Sequence, residues 1–465
     1  MLFNSPVFIF LFLPVVWLCF AFLVRLIPHK DRWPIGLLLL SSLVFYGWWD
    51  YRYLGMLLGS ICFNYWIGLL LSKPSSSRLL RWVLGFGVAM NVLLLVIFKY
   101  LDFAIESVNA ISGAGLEPIG IVLPLAISFF TFQQIAYLVD CHSGRVKDFS
   151  FVNYALFVSF FPQLIAGPIV HHGEILPQFK DPDMRRIDCA NVASGIFLFV
   201  MGLAKKVLLA DQLSPFVQSG YASPEMLSAG DAWMLSLTYS MQLFLDFCGY
   251  SEMAIGLARM FNIRIPVNFL NPYRAVDLQD FWRRWHITLS TFLRDYLYIP
   301  LGGNRSGAFR VGIKVMLTFA IGGIWHGAGW NFLIWGVLHG IGQVGLRLWR
   351  GAGFRMPSFA GWAVTFLFVN IAWVFFRSPD FETAWMVLGR MIGLGAQGAS
   401  GSGHSTSPFL MIVLGISAIV SLFFPSTRKL LEIKPGIIHA VIVVILFVAC
   451  VMRLQDHSEF IYFRF

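Results

Sequence analysis

The chain alternates long apolar runs with short polar segments. A helix needs about 20 apolar residues to cross the hydrocarbon core of a bilayer. The runs that meet or approach this length are 6–24, 35–48, 54–72, 82–97, 121–139, 192–209, 232–257, 358–376, 408–424 and 436–452. This pattern predicts an all-α polytopic membrane protein with about ten transmembrane helices.

The loops between these runs alternate in charge. One set is basic, at 25–32, 73–81, 145–147, 180–186, 347–355 and 428–434, and the intervening set is mildly acidic, at 102–117 and 211–231. Because cytoplasmic loops are enriched in Lys and Arg, we expect the basic loops in the cytoplasm and both termini outside. The Gly/Ser-rich segment 393–407 is then a flexible loop on the outer side.

Composition supports the membrane assignment. Hydrophobic residues make up 58% of the 465 residues and charged residues only 12%, whereas a soluble domain carries about 25% charged residues. The net charge of +10 is therefore assigned to cytoplasmic loops, and no nucleic-acid partner is expected. The six cysteines have no pairing or metal-ligand spacing, so we expect reduced thiols and no metal site. No cation precedes the run 6–24, which predicts a first transmembrane helix rather than a cleaved signal peptide.

Two apolar stretches do not fit as simple spans. The first, 150–169, contains Pro162 and Pro168, and the second, 315–346, is interrupted by several glycines. Both lie between basic segments, which predicts that each enters and leaves the membrane on one side. Irregular backbone at membrane depth survives only where protein or a wet cavity surrounds it, so these re-entrant elements are candidate functional regions.

The region 260–314 is rich in arginine. Its aromatic and aliphatic residues recur at helical spacing, at Leu278, Phe281, Trp285, Phe292 and Tyr296, while the arginines lie off that stripe. This pattern predicts an amphipathic interfacial helix at the cytoplasmic face. Together with the second re-entrant stretch it defines a predicted core region, 260–346, within one membrane domain that covers residues 1–465.

His326 is the first candidate for chemistry. It lies 12 residues after Lys314, which in a helix is roughly 18 Å and more than half of a hydrocarbon core about 30 Å thick. An ionisable side chain at that depth is costly and usually functional. Burial would keep the imidazole neutral, as a general base requires. A hydrogen-bonded packing histidine is an equally good interpretation of the position alone.

Three further polar residues have two interpretations each. His286 is either catalytic or an interfacial histidine among aromatic residues, and His339, 13 residues after His326, is a third candidate. Asp246, within the run 232–257, needs a partner at that depth. It would orient a histidine or pair with an arginine of 283–305. The segment 302–305, with two glycines followed by Asn304 and Arg305, resembles a weak phosphate-binding turn.

Four segments together resemble the signature of the membrane-bound O-acyltransferases. They run from Asp280 to Arg305, from Asp246 to Ser251, from Trp325 to Ala328, and from Asn370 to Arg377. The similarity extends over nearly the whole chain and is strongest to the bacterial exopolysaccharide O-acetyltransferases of the alginate and cellulose type. Departures are small: Cys248 replaces a usual Ser, and Gln163 replaces a His found in some members.

The resemblance implies a central tunnel with His326 as the catalytic histidine and His286 as the second motif residue. Asp246, Trp325 and His339 are expected to support them. Acetyl-CoA is the expected donor substrate, with no permanently bound cofactor. It would bind from the cytoplasm to a basic rim formed by Arg283, Arg284, Arg294, Asn304 and Arg305.

The same resemblance implies a location in the bacterial inner membrane and an exported exopolysaccharide as acceptor. It also implies a periplasmic or extracellular SGNH-like acetyltransferase as partner. The aromatic tail 458–465 is expected either to dock that partner or to anchor in the lipid interface. The alternatives are transfer of D-alanine or another acyl group to a cell-wall polymer, and a non-catalytic acyl transporter or scaffold. A transporter would be expected to show paired halves, which the sequence does not show.

Overall fold

The computed structural model describes residues 1–26, 33–73, 78–165, 167–182, 186–305, 307–395, 407–454 and 461. Most of the predicted loop 393–407 lies outside these residues, as does the tail 458–465 apart from Ile461. The described residues form helices and connecting turns without a β-strand, which confirms the all-α prediction.

The α-helices of the described residues are α1 (Leu13–Leu26), α2 (Trp33–Gly47), α3 (Arg52–Leu71), α4 (Arg78–Leu95), α5 (Leu101–Ser112), α6 (Ile127–His142), α7 (Phe151–Ser159), α8 (Phe161–Leu164), α9 (His172–Lys180), α10 (Cys189–Ala204), α11 (Asp211–Ala222), α12 (Ala229–Met260), α13 (Leu278–Arg284), α14 (Ile287–Leu293), α15 (Ala308–His326), α16 (Trp330–Gly351), α17 (Ser358–Arg377), α18 (Phe381–Met391), α19 (Pro408–Phe423), α20 (Thr427–Glu432) and α21 (Ile437–Val451). Turns of π-helix adjoin α1, α4, α10 and α14, at Phe8–Phe12, Val96–Tyr100, Lys205–Ala210 and Arg294–Tyr298.

The chain divides into two compact units. The first unit comprises Met1–Val200, Tyr250–Pro266 and Ile433–Val443, and the second unit comprises Met201–Gly249, Val267–Glu432 and Val444–Phe465. The single membrane domain over residues 1–465, the central tunnel and the side of the membrane that each loop faces stay predictions.

Six helical segments among the described residues are long and apolar enough to cross a membrane: Phe8–Leu26, Arg52–Leu71, Arg78–Ser112, Cys189–Ala222, Ala308–His326 and Ser358–Arg377. Shorter apolar helices form at Trp33–Gly47, Pro408–Phe423 and Ile437–Val451, where the sequence predicts spans. The protein is thus a multi-pass membrane protein.

Two of the predicted spans and one predicted re-entrant stretch need correction. The run 121–139 becomes helical only at Ile127. The run 232–257 lies within the 32-residue helix α12, which is less apolar than the six segments because it carries residues such as Asp246 and Glu252. The segment Ala308–His326 is long enough to cross a membrane, although the charge pattern had predicted a re-entrant stretch that begins only at 315.

Polar side chains are buried between helices of the first unit while apolar ones face outward. Asn64 on α3 and Asn91 on α4 exchange amide hydrogen bonds of 3.2 and 2.7 Å. On the same helix α4, the side chains of Trp82 and Phe86 are exposed. Because lipid tails solvate apolar surface and water does not, this distribution is the one that a membrane helix requires.

The first predicted break is confirmed in the first unit. Helix α7 ends at Ser159 and α8 begins at Phe161, because Phe160 between them has φ −50° and ψ 110°, outside the helical range. Pro162 follows in the first turn of α8, where the absence of an N–H has little cost. The stretch 150–169 is therefore two short helices and not one span.

The second predicted break is confirmed in the second unit as a helical hairpin, α15 and α16. A Cβ on Gly336 would lie 2.3 Å from the carbonyl oxygen of Phe319, and one on Gly323 would lie 2.3 Å from that of Phe332. Contacts in this reversed order show that the two helices run antiparallel, with backbones closer than any larger residue permits. The glycines therefore allow the close packing that places the turn at 327–329.

The predicted amphipathic helix of the arginine-rich region is not continuous. It forms α13 and α14, which are separated at Trp285 and His286, where His286 has a left-handed φ of +43°. The predicted apolar stripe is buried at Leu278, Phe281, Trp285 and Phe292, and Tyr296 is partly buried. Helical spacing thus identified the buried side, but not the break that carries the histidine.

Candidate active site

The break that carries His286 is held by backbone hydrogen bonds within the second unit. The N–H of Leu270 donates to the carbonyl of Arg284 at 3.0 Å, and the N–H of Ile287 donates to the carbonyl of Asn268 at 3.0 Å. The segment 268–270 therefore clips both sides of the break. This clip stabilises a backbone conformation at His286 that non-glycine residues seldom adopt.

The side chain of His286 is completely buried. Its Nδ1 lies 3.2 Å from the side-chain oxygen of Asn268, and its ring packs 4.8 Å from the ring of Phe247 on α12. Within the described part of the chain, Nε2 is buried and has no hydrogen-bond partner. Burial lowers the pKa of His286 because an apolar environment disfavours the charged imidazolium.

His326 is the last residue of α15 and is also buried. A Cβ on the next residue, Gly327, would lie 2.1 Å from the ring of Phe332, so a larger residue at this turn would require that ring to move. The imidazole of His326 lies among the rings of Trp325, Trp335 and Phe376, with centroid distances of 4.9, 5.0 and 5.2 Å. These contacts hold the histidine in an aromatic pocket with little access for water.

The rings of His286 and His326 are brought together, with centroids 6.3 Å apart. Trp325 contacts both, at 6.2 Å from His286 and 4.9 Å from His326. Three of the residues singled out from the sequence therefore form one buried cluster. One small group placed between the two imidazoles would be within reach of both.

His339 lies behind this cluster on α16. Trp335 packs between the two, 5.0 Å from His326 and 4.9 Å from His339. The indole N–H of Trp282 donates to Nδ1 of His339 at 3.2 Å. Trp335 therefore separates His339 from the two-histidine cluster, and the expected supporting role of His339 stays a prediction.

The motif from Asn370 to Arg377 forms another side of the pocket. Trp373 packs on Trp335 at 5.6 Å, and Phe376 contacts His326. Asn370 is anchored to α12, where its side chain accepts from Ser236 Oγ at 2.8 Å and donates to Ser240 Oγ at 2.8 Å. The segment that the sequence matched to the family signature thus supplies aromatic wall and helix contacts.

The prediction for the partner of Asp246 is wrong. Its carboxylate pairs with the ammonium group of Lys206, at 2.7 Å, and among the residues that the structure describes it pairs neither with a histidine nor with an arginine of 283–305. Lys206 also pairs with Asp211 at 2.7 Å, and all three side chains are buried. The N–H of Ile461 donates to the other oxygen of Asp246 at 2.9 Å. Asp246 therefore belongs to an ion cluster and supports α12 rather than an imidazole.

The residues predicted to bind the donor differ in whether their side chains already have partners within the protein. Arg284 pairs with Asp280 at 2.8 Å, and Arg294 pairs with its neighbour Asp295 at 2.6 Å. Asn304 accepts from Tyr298 Oη and from the guanidinium of Arg347, both at 2.7 Å. By contrast, the side chains of Arg283 and Arg305 are exposed and form no hydrogen bond or ion pair with the other described residues.

The contacts of three residues in this region were not predicted from the sequence. Asn268 binds His286, Trp335 separates His326 from His339, and Lys206 neutralises Asp246. A signal existed for Lys206, since Lys205 and Lys206 interrupt the apolar run 192–209 and an intramembrane cation requires a counter-ion. The roles of Asn268 and Trp335 depend on contacts between distant segments.

The arrangement is suited to proton transfer in a site that excludes water. A buried neutral imidazole accepts a proton from a hydroxyl group, and a second imidazole beside it can bind the same substrate group. Aromatic walls lower the local dielectric, which strengthens every electrostatic interaction with the reacting atoms.

Comparison with known proteins identifies the family. The family model of the membrane-bound O-acyltransferases matches residues 45–378. The chain is 46% identical to the peptidoglycan O-acetyltransferase of Helicobacter pylori over 88% of this chain and 83% of that protein. It is 37% identical to the probable alginate O-acetylase of Azotobacter vinelandii over 100% of both chains.

The chain is also 26% identical to the teichoic acid D-alanyltransferase of Streptococcus thermophilus. This more distant similarity covers 47% of this chain and 56% of that protein. The matched range, 45–378, includes both histidines of the buried cluster and the motif on α17. The chain is an O-acyltransferase that belongs to the membrane-bound O-acyltransferase family.

Proposed function

We propose that this protein transfers acetyl groups from cytoplasmic acetyl-CoA across the bacterial inner membrane for the O-acetylation of an exported polysaccharide. The observation that carries the proposal is the pair of buried imidazoles, His286 and His326, with ring centroids 6.3 Å apart. The relatives that are named for O-acetylation of bacterial polysaccharides support the choice of the acetyl group.

In the proposed reaction His326 is the general base. It takes the proton of the acceptor hydroxyl while the hydroxyl oxygen attacks the carbonyl carbon of the thioester. The C–S bond then breaks, and the departing thiolate takes the proton back from the imidazolium, so no net proton is consumed. His286 contacts the reacting group through Nε2. The acceptor hydroxyl belongs to the sugar itself or to a serine of the partner protein.

The donor is held by its negative charges. Coenzyme A carries phosphates, which arginine binds well because its guanidinium offers several N–H donors. Arg283 and Arg305 are the best placed of the predicted rim residues, because Arg284, Arg294 and Asn304 already have partners within the protein. In the proposed rim, two arginines can therefore bind the donor directly. The other three residues would first have to give up their present hydrogen bonds or ion pairs.

Two classes of acceptor polymer are supported. The sequence resemblance favours an alginate- or cellulose-like exopolysaccharide. Peptidoglycan is the second candidate, because the relative named as a peptidoglycan O-acetyltransferase shares 46% identity, against 37% for the alginate relative from Azotobacter vinelandii. In either case an SGNH-like acetyltransferase on the outer side would complete the transfer to the polymer.

The decisive experiment measures release of the coenzyme A thiol by the purified protein in lipid vesicles. Acetyl-CoA is supplied on one side, and oligomannuronate, cello-oligosaccharide or peptidoglycan fragments are supplied separately as acceptors, each with and without an SGNH-type partner. We expect acceptor-dependent thiol release by the wild type and its loss in His326→Ala. Equal release by wild type and His326→Ala would refute the catalytic role and favour a non-catalytic carrier or scaffold.

A further inference from the structure

The side-chain oxygen of Asn268 is the point at which the break around His286 is held together. It accepts from the N–H of Thr288 at 3.3 Å, from Oγ1 of Thr288 at 2.9 Å, and it lies 3.2 Å from Nδ1 of His286. A backbone N–H can only donate, so the amide atom that faces Thr288 must be the oxygen. The ring nitrogen that faces the same oxygen must then carry a proton.

This contact fixes the tautomer of His286. With the proton on Nδ1, the lone pair of the neutral imidazole is on Nε2. Among the residues that the structure describes, Nε2 is buried without a hydrogen-bond partner. The basic nitrogen is therefore the one left available for a substrate group.

Hydrogen bonding alone does not explain why residue 268 has an amide side chain. A carboxylate would accept hydrogen bonds from the same three donors on His286 and Thr288. The amide also has a disadvantage, since its Nδ2 is buried with no hydrogen-bond partner in the described ranges. A carboxylate in direct contact would stabilise the imidazolium and raise the pKa of the histidine by about 1–3 units. An amide orients the ring and leaves it neutral.

We propose that Asn268 is a positioning residue that keeps the proton of His286 on Nδ1 while leaving the imidazole uncharged. This inference rests on the proposed function, in which His286 contacts the reacting group. It assigns Asn268 a role in the reaction although the residue lies outside the four family-signature segments found in the sequence.

Three charged groups on or next to the elements around His286 are paired, and the unpaired side chain of Arg283 on α13 is exposed. His326 on α15 is the neighbouring imidazole. On α12, Asp246 adjoins Phe247 in sequence but pairs with Lys206, and on α13 Arg284 pairs with Asp280. Beyond α14, Arg294 pairs with Asp295. A carboxylate introduced at 268 would thus be the anion bonded directly to the His286 ring.

The test compares pH profiles of acetyl transfer for the wild type, Asn268→Asp and Asn268→Ala. In Asn268→Asp we expect the acid limb of kcat to move to higher pH by about 1–3 units, with activity retained at high pH. In Asn268→Ala we expect kcat to fall about tenfold or more while KM for acetyl-CoA stays within about twofold. Asn91→Ala removes a buried asparagine of the first unit and should leave the profile unchanged.

A purely structural role for Asn268 predicts a different result. Asn268→Asp would then keep the wild-type pH profile, because the carboxylate preserves the same hydrogen bonds, and that outcome overturns the proposal. If His286→Gln retains full activity, the proposed function fails at this residue, whatever the Asn268 variants do.

A measurement on the unmodified protein does not depend on the folding of these variants. Nitrogen NMR of ¹⁵N-histidine-labelled protein, with the His286 signals assigned by their loss in His286→Gln, reports which ring nitrogen is protonated. We expect the Nδ1–H tautomer. A protonated Nε2 at neutral pH would refute the inference.

Discussion

The buried histidine cluster and the exposed arginine rim were both predicted from one stretch of sequence, but the fold constrains them very differently. His286 and His326 lie at helix ends, where His286 itself adopts a left-handed conformation and Gly327 packs closely against Phe332. The side chains of Arg283 and Arg305 are exposed and have no hydrogen-bond or ion-pair partner among the described residues. In the proposed function, the chemistry therefore depends on backbone geometry that the fold enforces, whereas donor binding depends on exposed arginine side chains.

The largest effect is expected from the histidines. His326→Ala should lower kcat by about 10²–10⁴, the usual contribution of a positioned base. Because residues that act as a unit are not additive, the double variant with His286→Ala should be no slower than the slower single variant. Steady-state acetyl transfer by the purified proteins measures this, with His142→Ala as a histidine control in the first unit.

Independent losses would contradict this prediction. If the fold-loss of kcat in the double variant equals the product of the two single fold-losses, the two imidazoles act independently. Their proximity, with ring centroids 6.3 Å apart, is then not the basis of their function.

The next effect concerns the hairpin that presents His326. Gly336→Ala would place a Cβ 2.3 Å from the carbonyl oxygen of Phe319, whereas a Cβ on Gly345, in the same helix α16, would meet no atom within 4 Å. We expect Gly336→Ala to destabilise the protein by about 1–3 kcal/mol. Gly345→Ala should instead stabilise it by about 0.5–1 kcal/mol, because alanine loses less backbone entropy in a helix. Thermal unfolding in detergent measures both.

Equal melting temperatures for these two variants would show that α15 and α16 are not packed as closely as their glycines indicate. A fall in the activity of Gly336→Ala that exceeds the loss of folded protein would connect the packing of the hairpin to the placement of His326.

The sequence predicted the parts of this site that depend on local pattern. Apolar run length predicted most helices, and glycines at 322–329 predicted the break that carries His326. Helical periodicity predicted the buried side of 278–296 but extended the helix through His286, because left-handed backbone at a non-glycine residue has no local signal. It is imposed by the clip from 268–270.

Long-range pairing could not be predicted from pattern alone. Asp246 needs a partner at its depth, and the sequence offers histidines and arginines as candidates, whereas the fold supplies Lys206 from the preceding apolar segment. Asn268 lies 18 residues before His286 and reaches it only because the intervening helix folds back. Such contacts depend on the packing of whole segments.

A moderate effect is expected at the rim. The double variant Arg283→Ala, Arg305→Ala should raise KM for acetyl-CoA roughly three- to tenfold, since exposed ion pairs contribute about 0.2–1 kcal/mol each, and should leave kcat nearly unchanged. Arg294→Ala is the matched control, because this arginine already pairs with Asp295. Raised salt should narrow the difference from wild type, because exposed charges are screened. A fall in kcat with unchanged KM would instead assign the two arginines to the reaction.

The smallest effect is expected at Asp280. A variant at this position tests whether an arginine that is released from its ion pair can bind the donor. Asp280 and Arg284 are an i,i+4 pair at 2.8 Å, partly exposed, so their interaction contributes about 0.3–0.5 kcal/mol. Asp280→Asn should therefore change thermal stability only slightly and keep the bond from the N–H of Val276 at 3.3 Å. It also releases Arg284, and a lower KM for acetyl-CoA would show that a freed arginine joins Arg283 and Arg305 in binding the donor. An unchanged KM would confine donor binding to the arginines that the fold leaves unpaired, whereas a large loss of kcat in the folded variant would place Asp280 in the catalytic site.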